Sequence, residues 1–142
     1  MPAPDNYDDS NIFAKILRGE IPCYKVYEDA GTLAFMDVMP QSKGHVLVIP
    51  KQKSRNLLDA DPVIFAPTLA VAQNIAKAAV KAFGADGVML VQYNEAAAGQ
   101  TVFHLHFHVI PRYEGVALRA HAGSMEDQTV LAANADKIRQ AL

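Results

Sequence analysis

One cysteine, Cys23, stands in 142 residues, so no intramolecular disulfide, Cys-X-X-Cys redox pair or thiolate zinc site can be assembled. That usage fits a reducing, cytoplasmic setting. An excess of charge of one sign is also lacking: 13 Lys and Arg stand against 15 Asp and Glu, a formal net charge of -2. Such a balance gives no field for general attraction to nucleic acid or an anionic membrane, so neither is expected as a partner and a phosphate-bearing ligand has to be held locally. The start, Met-Pro-Ala-Pro-Asp-Asn-Tyr-Asp-Asp, lacks the basic and apolar regions of a secretory leader. Long hydrophobic runs are missing too, since the longest charge-free stretches, such as Pro62 to Ala76, are short for a bilayer span and carry Pro, Thr, Gln and Asn. No repeat or Gly/Ser linker divides the chain. What remains, 51% hydrophobic and 20% charged residues, is the mixture of a single domain over 1–142 with a loose start (1–9) and a variable tail (113–142). A chain of this length buries a core without staples.

Capping and periodicity predict the elements. Ser10 is placed to cap a short helix through Arg18 with apolar face Ile12, Phe13, Ile16 and Leu17, ended by Gly19. Extended runs follow at Tyr24 to Glu28, Thr32 to Val38 and His45 to Pro50, joined by turns short enough to imply antiparallel neighbours. Asp61-Pro62 opens a turn before a long helix, Pro67 to Phe83, in which Leu69, Ala72, Ala76, Ala79, Val80 and Phe83 keep helical spacing until Gly84. Two further strands, Gly87 to Tyr93 and Phe103 to Ile110, flank an Asn94 to Gln100 loop, and Glu126 to Leu142 has the pattern of a short amphipathic helix carrying Val130, Leu131, Ala135 and Ile138. The expected fold is α+β, an antiparallel sheet of about five strands with one long and one short helix and a C-terminal short helix.

The sharpest feature is Phe103-His104-Leu105-His106-Phe107-His108-Val109-Ile110, three of the five histidines at i, i+2 and i+4. On a strand this spacing puts the three imidazoles on one face and Leu105, Phe107 and Val109 on the other. His45 or His121 alone reads as an ordinary core or surface histidine. The triplet does not, because three neutral imidazoles buried side by side strand donors and acceptors. One chemistry is metal binding, in which strand histidines ligate zinc or copper with a further ligand from elsewhere. The other uses one imidazole as a nucleophile on phosphorus while its neighbours orient it and supply protons. Beside the triplet, Gly99-Gln100-Thr101 brings a close-approach backbone, an amide and a hydroxyl. On another strand Leu33, Phe35 and Asp37 share a side, so Asp37 is placed either to accept from a sugar diol or to cap a turn.

These segments resemble the histidine triad (HIT) family, whose pattern of alternating histidine and apolar residues is matched by His104 through Ile110. The likeness extends to Asn11 to Ile16, Gly19-Glu20-Ile21-Pro22, Leu33 to Asp37, Gly44 to Lys51 and Gly99 to Arg112. It implies a HIT-like domain and a nucleotidyl hydrolase or transferase acting at the α-phosphorus of nucleoside phosphoramidates or dinucleoside polyphosphates. His106 would be the nucleophile of a covalent nucleotidyl-histidine step that releases nucleoside monophosphate. The same resemblance has His104 orient His106, His108 and His45 stabilise phosphoryl oxygens or the leaving group, and Thr101 and Gln100 assist the leaving atom. Asp37 would accept the ribose hydroxyls, with Ile12, Phe13, Ile16, Phe35 and Val38 around a purine, adenine first, and Asn94 near the phosphate. The family's Cys-X-X-Cys zinc positions read Asn11 and Ala14 here, so no metal or other cofactor is expected. A homodimer is implied as well. Features of the Hint and Fhit branches are mixed, which leaves phosphoramidate and polyphosphate substrates both open. The competing functions are a nucleotide-binding regulatory or scaffold module with incidental turnover, and a metal-binding histidine cluster. A histidine nucleophile would lose activity near its ordinary pKa of roughly 6.5.

Overall fold

The structure, a computed structural model, describes residues 6–142. Residues 1–5 of the expected loose start lie outside the described residues. The rest of that start is anchored: the Tyr7 hydroxyl bonds His104, and Asp9 pairs with Lys53 at 2.6 Å.

Helix α1, Ile12–Leu17, is capped by Asn11, not Ser10, because Asn11 holds the extended backbone at the boundary and its side chain accepts from Ala14 N–H at 2.9 Å. Phe13 and Ala14 are buried, whereas Ile12 is 47% exposed, so the packed face is narrower than the sequence pattern. Strands β1 (Lys25–Glu28), β2 (Thr32–Met36), β3 (Val46–Pro50), β4 (Gly87–Val91) and β5 (Phe107–Arg112) form one antiparallel sheet in the order β1-β2-β3-β5-β4. Between β4 and β5 a 3-10 turn occupies Ala96–Ala98.

Helix α2, Phe65–Phe83, starts two residues before the expected Pro67, after a 3-10 turn Pro62–Ile64 capped by Asp61. Pro67 falls in the first turn, where backbone N–H groups have no helical acceptor to lose. The buried stripe is Thr68, Val71, Ala72, Ile75, Ala78 and Ala79, while Leu69 and Val80 are each 39% exposed. Both stripes keep helical spacing, and contact with the sheet selects between them. By length and composition Pro62–Phe83 could cross a membrane; here it buries one face on the sheet and carries Lys77 and Lys81. Helix α3, Gln128–Ala141, is capped by Asp127 and packs on α2 and β1 through Leu131, Ala135 and Ile138, with Val130 left outside.

The sheet separates two cores. Ala34, Met36, Val46, Val48 and Val109 meet α2 and α3 on one face; Leu33, Phe35, Leu47 and Ile49 meet Phe13 of α1 on the other. Complete burial of a side chain such as Ile75 or Ile49 contributes about 1.5–3 kcal/mol.

The expected strand Phe103 to Ile110 starts only at Phe107 and runs on to Arg112. Upstream the chain leaves the ladder: Leu105 N–H donates to the Ser54 carbonyl at 2.8 Å, and the Phe103 ring lies 4.1 Å from the Arg55 guanidinium. Competing partners for backbone and side chain outweigh strand propensity there.

Candidate active site

Sheet register places half of the site. Leu47 pairs with His108, and Asp37 N–H donates to the His45 carbonyl at 3.0 Å, extending the β2–β3 ladder. Residues opposite one another share a face, so Asp37, His45 and His108 emerge with Leu33, Phe35 and Leu47 on the α1 side. His104 and His106 precede β5, so alternation along a strand does not orient them. The irregular segment still delivers His106 to His108, ring centroids 4.9 Å apart, and sets it edge-on to Phe13 at 4.9 Å.

Hydrogen bonds to fixed backbone groups settle each tautomer, because a carbonyl only accepts and an amide N–H only donates. Gln41 N–H donates to His45 Nδ1 at 3.0 Å, so His45 carries its proton on Nε2. That Nε2–H donates to His108 Nδ1 at 2.9 Å, which places the His108 proton on Nε2. His108 Nε2–H is buried with no hydrogen-bond partner among the described residues. A buried donor without a partner costs roughly 1–3 kcal/mol, and an incoming phosphoryl oxygen would satisfy it. His106 has the opposite polarity: Nδ1–H donates to the His104 carbonyl at 2.7 Å, leaving a lone pair on Nε2 with no hydrogen bond among the described residues. His104 is anchored at both ends, Nε2–H to the Pro50 carbonyl at 2.8 Å and Nδ1 to the Tyr7 hydroxyl. His104 therefore orients His106 through its backbone oxygen, not its ring.

Burial holds these imidazoles neutral. It pushes His106 and His104 down to about 4 and His45 to about 3, and takes His108 to about 2. An acid limb near 6.5 is thereby displaced. Burial raises the Asp37 carboxyl to about 6, against a lowering by Met39 N–H, which donates to its Oδ1 at 2.8 Å. Asp37 is thus in part the turn residue its position suggests, with Oδ2 3.4 Å from His45 Nε2.

The ligand atoms of Asp37, His45 and His108 lie within 4.8 Å of one another, close enough for a cation. The hydrogen bonds argue against that use: a metal on His45 Nε2 would displace its proton, and Nδ1 cannot take the proton because it faces the Gln41 N–H. Nor do the three triad rings converge on an ion, since both nitrogens of His104 and Nδ1 of His106 are engaged. The Asn11 side chain caps α1 and Ala14 packs into the core.

Other expected site residues divide. Phe13 and Phe35 are buried in edge-on contact at 5.4 Å, and Ile16 packs against the same cluster; Ile12 remains exposed beside it. Val38 is partly buried against the opposite core. Asn94 is tied to Gln92 and to Leu57 N–H, with one N–H unengaged among the described residues. Thr101 is exposed. Gln100 is engaged within the loop: its Nε2 donates to Arg55 and Val102 carbonyls, and its Oε1 accepts from Glu95 N–H and Asn56. Glu95 holds φ 75° and ψ 160°, a conformation costly for a side-chain-bearing residue, and Gln100 braces it together with the Arg55 fork at 2.8 and 2.9 Å. Gly99 has φ 104°, and a Cβ there would lie 3.3 Å from Tyr93 Cδ1.

Three neighbours are illegible in the sequence: Tyr7 on His104, Tyr93 on His108, and His121, whose ring centroid is 5.5 Å from that of His108. An isolated histidine in a tail gives no signal of this proximity.

Fold and site together define an α+β protein carrying a histidine cluster on one face of an antiparallel sheet. The HIT domain model matches residues 18–115, and the chain belongs to the HIT domain family. It is 46% identical over 103 residues to the adenylylsulfatase HINT3 of Arabidopsis thaliana, covering 72% of this chain and 52% of that protein, about half its length. It is 42% identical over 103 residues to the adenosine 5'-monophosphoramidase hnt1 of Schizosaccharomyces pombe, covering 72% and 74%. The solved structure of a HIT-like protein from Bartonella henselae superposes with TM-score 0.90 at 56% identity, over 96% of this chain and 99% of that one.

Proposed function

We propose that the protein is a nucleotide hydrolase cleaving phosphoramidates or polyphosphates of a purine nucleoside, adenosine first, at the α-phosphorus through a nucleotidyl-His106 intermediate. The observation that carries this reading is the His104 carbonyl, which keeps the His106 proton on Nδ1 and frees Nε2 for attack. Hint-like relatives named for adenylyl chemistry support nucleotide hydrolysis.

In the first step the Nε2 lone pair bonds phosphorus, and the bond to the leaving group breaks with its electron pair going to the leaving atom. That atom takes a proton from solvent or the Thr101 hydroxyl. His108 Nε2–H donates to a nonbridging oxygen, and His45 holds His108 in the donating tautomer. Water then attacks phosphorus, the P–Nε2 pair returns to His106, and the proton of the attacking water passes to solvent as the monophosphate leaves. Asp37 Oδ2 accepts from the ribose. A homodimer and a cytoplasmic setting belong to the same reading; the exposed edge strand β4, with Leu90 54% exposed, and the outward Leu69 and Val80 of α2 supply an apolar surface for a second copy.

His106→Ala tests the proposal. Release of monophosphate from a fluorogenic adenosine phosphoramidate should fall more than about 10³-fold, and rapidly quenched wild-type protein should carry a nucleotide on His106. Equal activity in the two proteins would overturn the reading.

A further inference from the structure

Four imidazoles carry the reaction, which leaves the fifth histidine, His121, without an assignment. It lies in the stretch between Tyr113 and α3, which backbone bonds pin to the chain that links β2 and β3: Arg119 N–H donates to the Gln41 carbonyl at 2.8 Å and Glu126 N–H to the Val38 carbonyl at 2.9 Å. Directly after His121, Ala122 holds φ 51°, a left-handed backbone that a residue with a Cβ rarely adopts. The half-buried His121 ring stands 5.2 Å from Tyr93 and 5.5 Å from His108, and its Nε2–H donates to the Gly99 carbonyl at 3.2 Å. That bond leaves Nδ1 with no hydrogen bond among the described residues.

His108 is therefore the shared neighbour of His106, at 4.9 Å, and of His121, at 5.5 Å. In-line attack by His106 expels the leaving group on the side of phosphorus away from Nε2, and the assignment below places that side at the turn around Gly99, to whose carbonyl His121 is tied. We propose that His121 is a specificity-determining residue whose Nδ1 accepts an N–H from the leaving group, so that the site favours nucleoside phosphoramidates over dinucleoside polyphosphates. The proposal rests on the hydrolase reading above. A phosphoramidate nitrogen brings an N–H to that acceptor, whereas an ionised polyphosphate brings only acceptor oxygens.

The test is the ratio of kcat/KM for an adenosine phosphoramidate to kcat/KM for a diadenosine polyphosphate. One hydrogen bond corresponds to a fall of about tenfold in that ratio. His121→Phe, which keeps a ring against Tyr93 and His108 but has no acceptor, should show this fall. His121→Asn, whose Oδ1 can stand near the Nδ1 position, should keep most of the preference. A ratio unchanged in His121→Phe, or an equal fall in both variants, would overturn the assignment. Wild-type protein that cleaves neither substrate and acquires no nucleotide on His106 would overturn the hydrolase reading itself.

Discussion

The site has two halves that are held in different ways. Asp37, His45 and His108 project from a paired ladder, so sheet register sets their separation. His104, His106 and His121 sit on irregular chain, where single hydrogen bonds to carbonyls and a tyrosine hydroxyl set orientation. The ladder half fixes where a donor points; the irregular half fixes which nitrogen is free. Distance is thus supplied by backbone pairing and chemical polarity by local tethers.

Acid should act on both halves and separate them most strongly. Below about pH 6, protonation of Asp37 should lower kcat/KM, and a second limb near 4 should follow as His106 protonates; Asp37→Asn should remove the first limb alone. A single fall centred near 6.5 in the pH profile would contradict a neutral, buried His106 as the proposed nucleophile. Stability follows the same groups. The unfolded chain binds protons on its histidines from about pH 6.5 downward, whereas the folded sites wait until about 4 or lower, so stability should fall as pH drops through that window. Asp37 has the opposite sign between about 6 and its unfolded value of 3.8, and one carboxyl offsets only part of the imidazole effect. Urea titrations at successive pH values measure the balance.

Next in size is Gly44→Ala at the entrance to β3. Gly44 has φ 88°, and a Cβ there would meet Phe83 at 2.6 Å, so urea unfolding should show a loss of about 2–4 kcal/mol. Because His45 is the following residue, the ladder half should lose its alignment with it. Smallest is Tyr7→Phe, which removes one bond to His104 and leaves the Pro50 bond in place; about 0.5–1.5 kcal/mol of stability should go, with a modest fall in kcat. A larger effect from Tyr7→Phe than from Gly44→Ala would reverse the ranking of ladder over tether.

The ladder half is largely legible in the sequence. The extended runs Thr32–Met36 and Val46–Pro50 and the connection between them specify antiparallel pairing, and the two-residue side-chain period puts Asp37 on the side of Leu33 and Phe35 and His45 on that of Leu47. The histidine spacing points to a cluster, but for a reason that only His108 obeys, since the chain leaves the sheet before Phe107 to satisfy Leu105 N–H at Ser54. The role of Gln100 is not legible, because a polar residue beside a site and a brace inside a loop have the same local sequence. Tyr7 is distant in sequence from His104, and His121 from Tyr93 and Gly99, and no local pattern encodes such contacts. The buried stripe of α2 lies about one position away from the expected one because many alanines make two helical faces nearly equal in hydrophobicity.

The carbonyl of His104 belongs to the main chain, and every amino acid placed at position 104 would bring one. Replacement of that imidazole can loosen the anchor at Pro50 and Tyr7, yet it cannot erase the oxygen that polarises its neighbour two residues on. Position 104 is therefore two parts in one: a side chain open to exchange and a backbone acceptor beyond the reach of substitution.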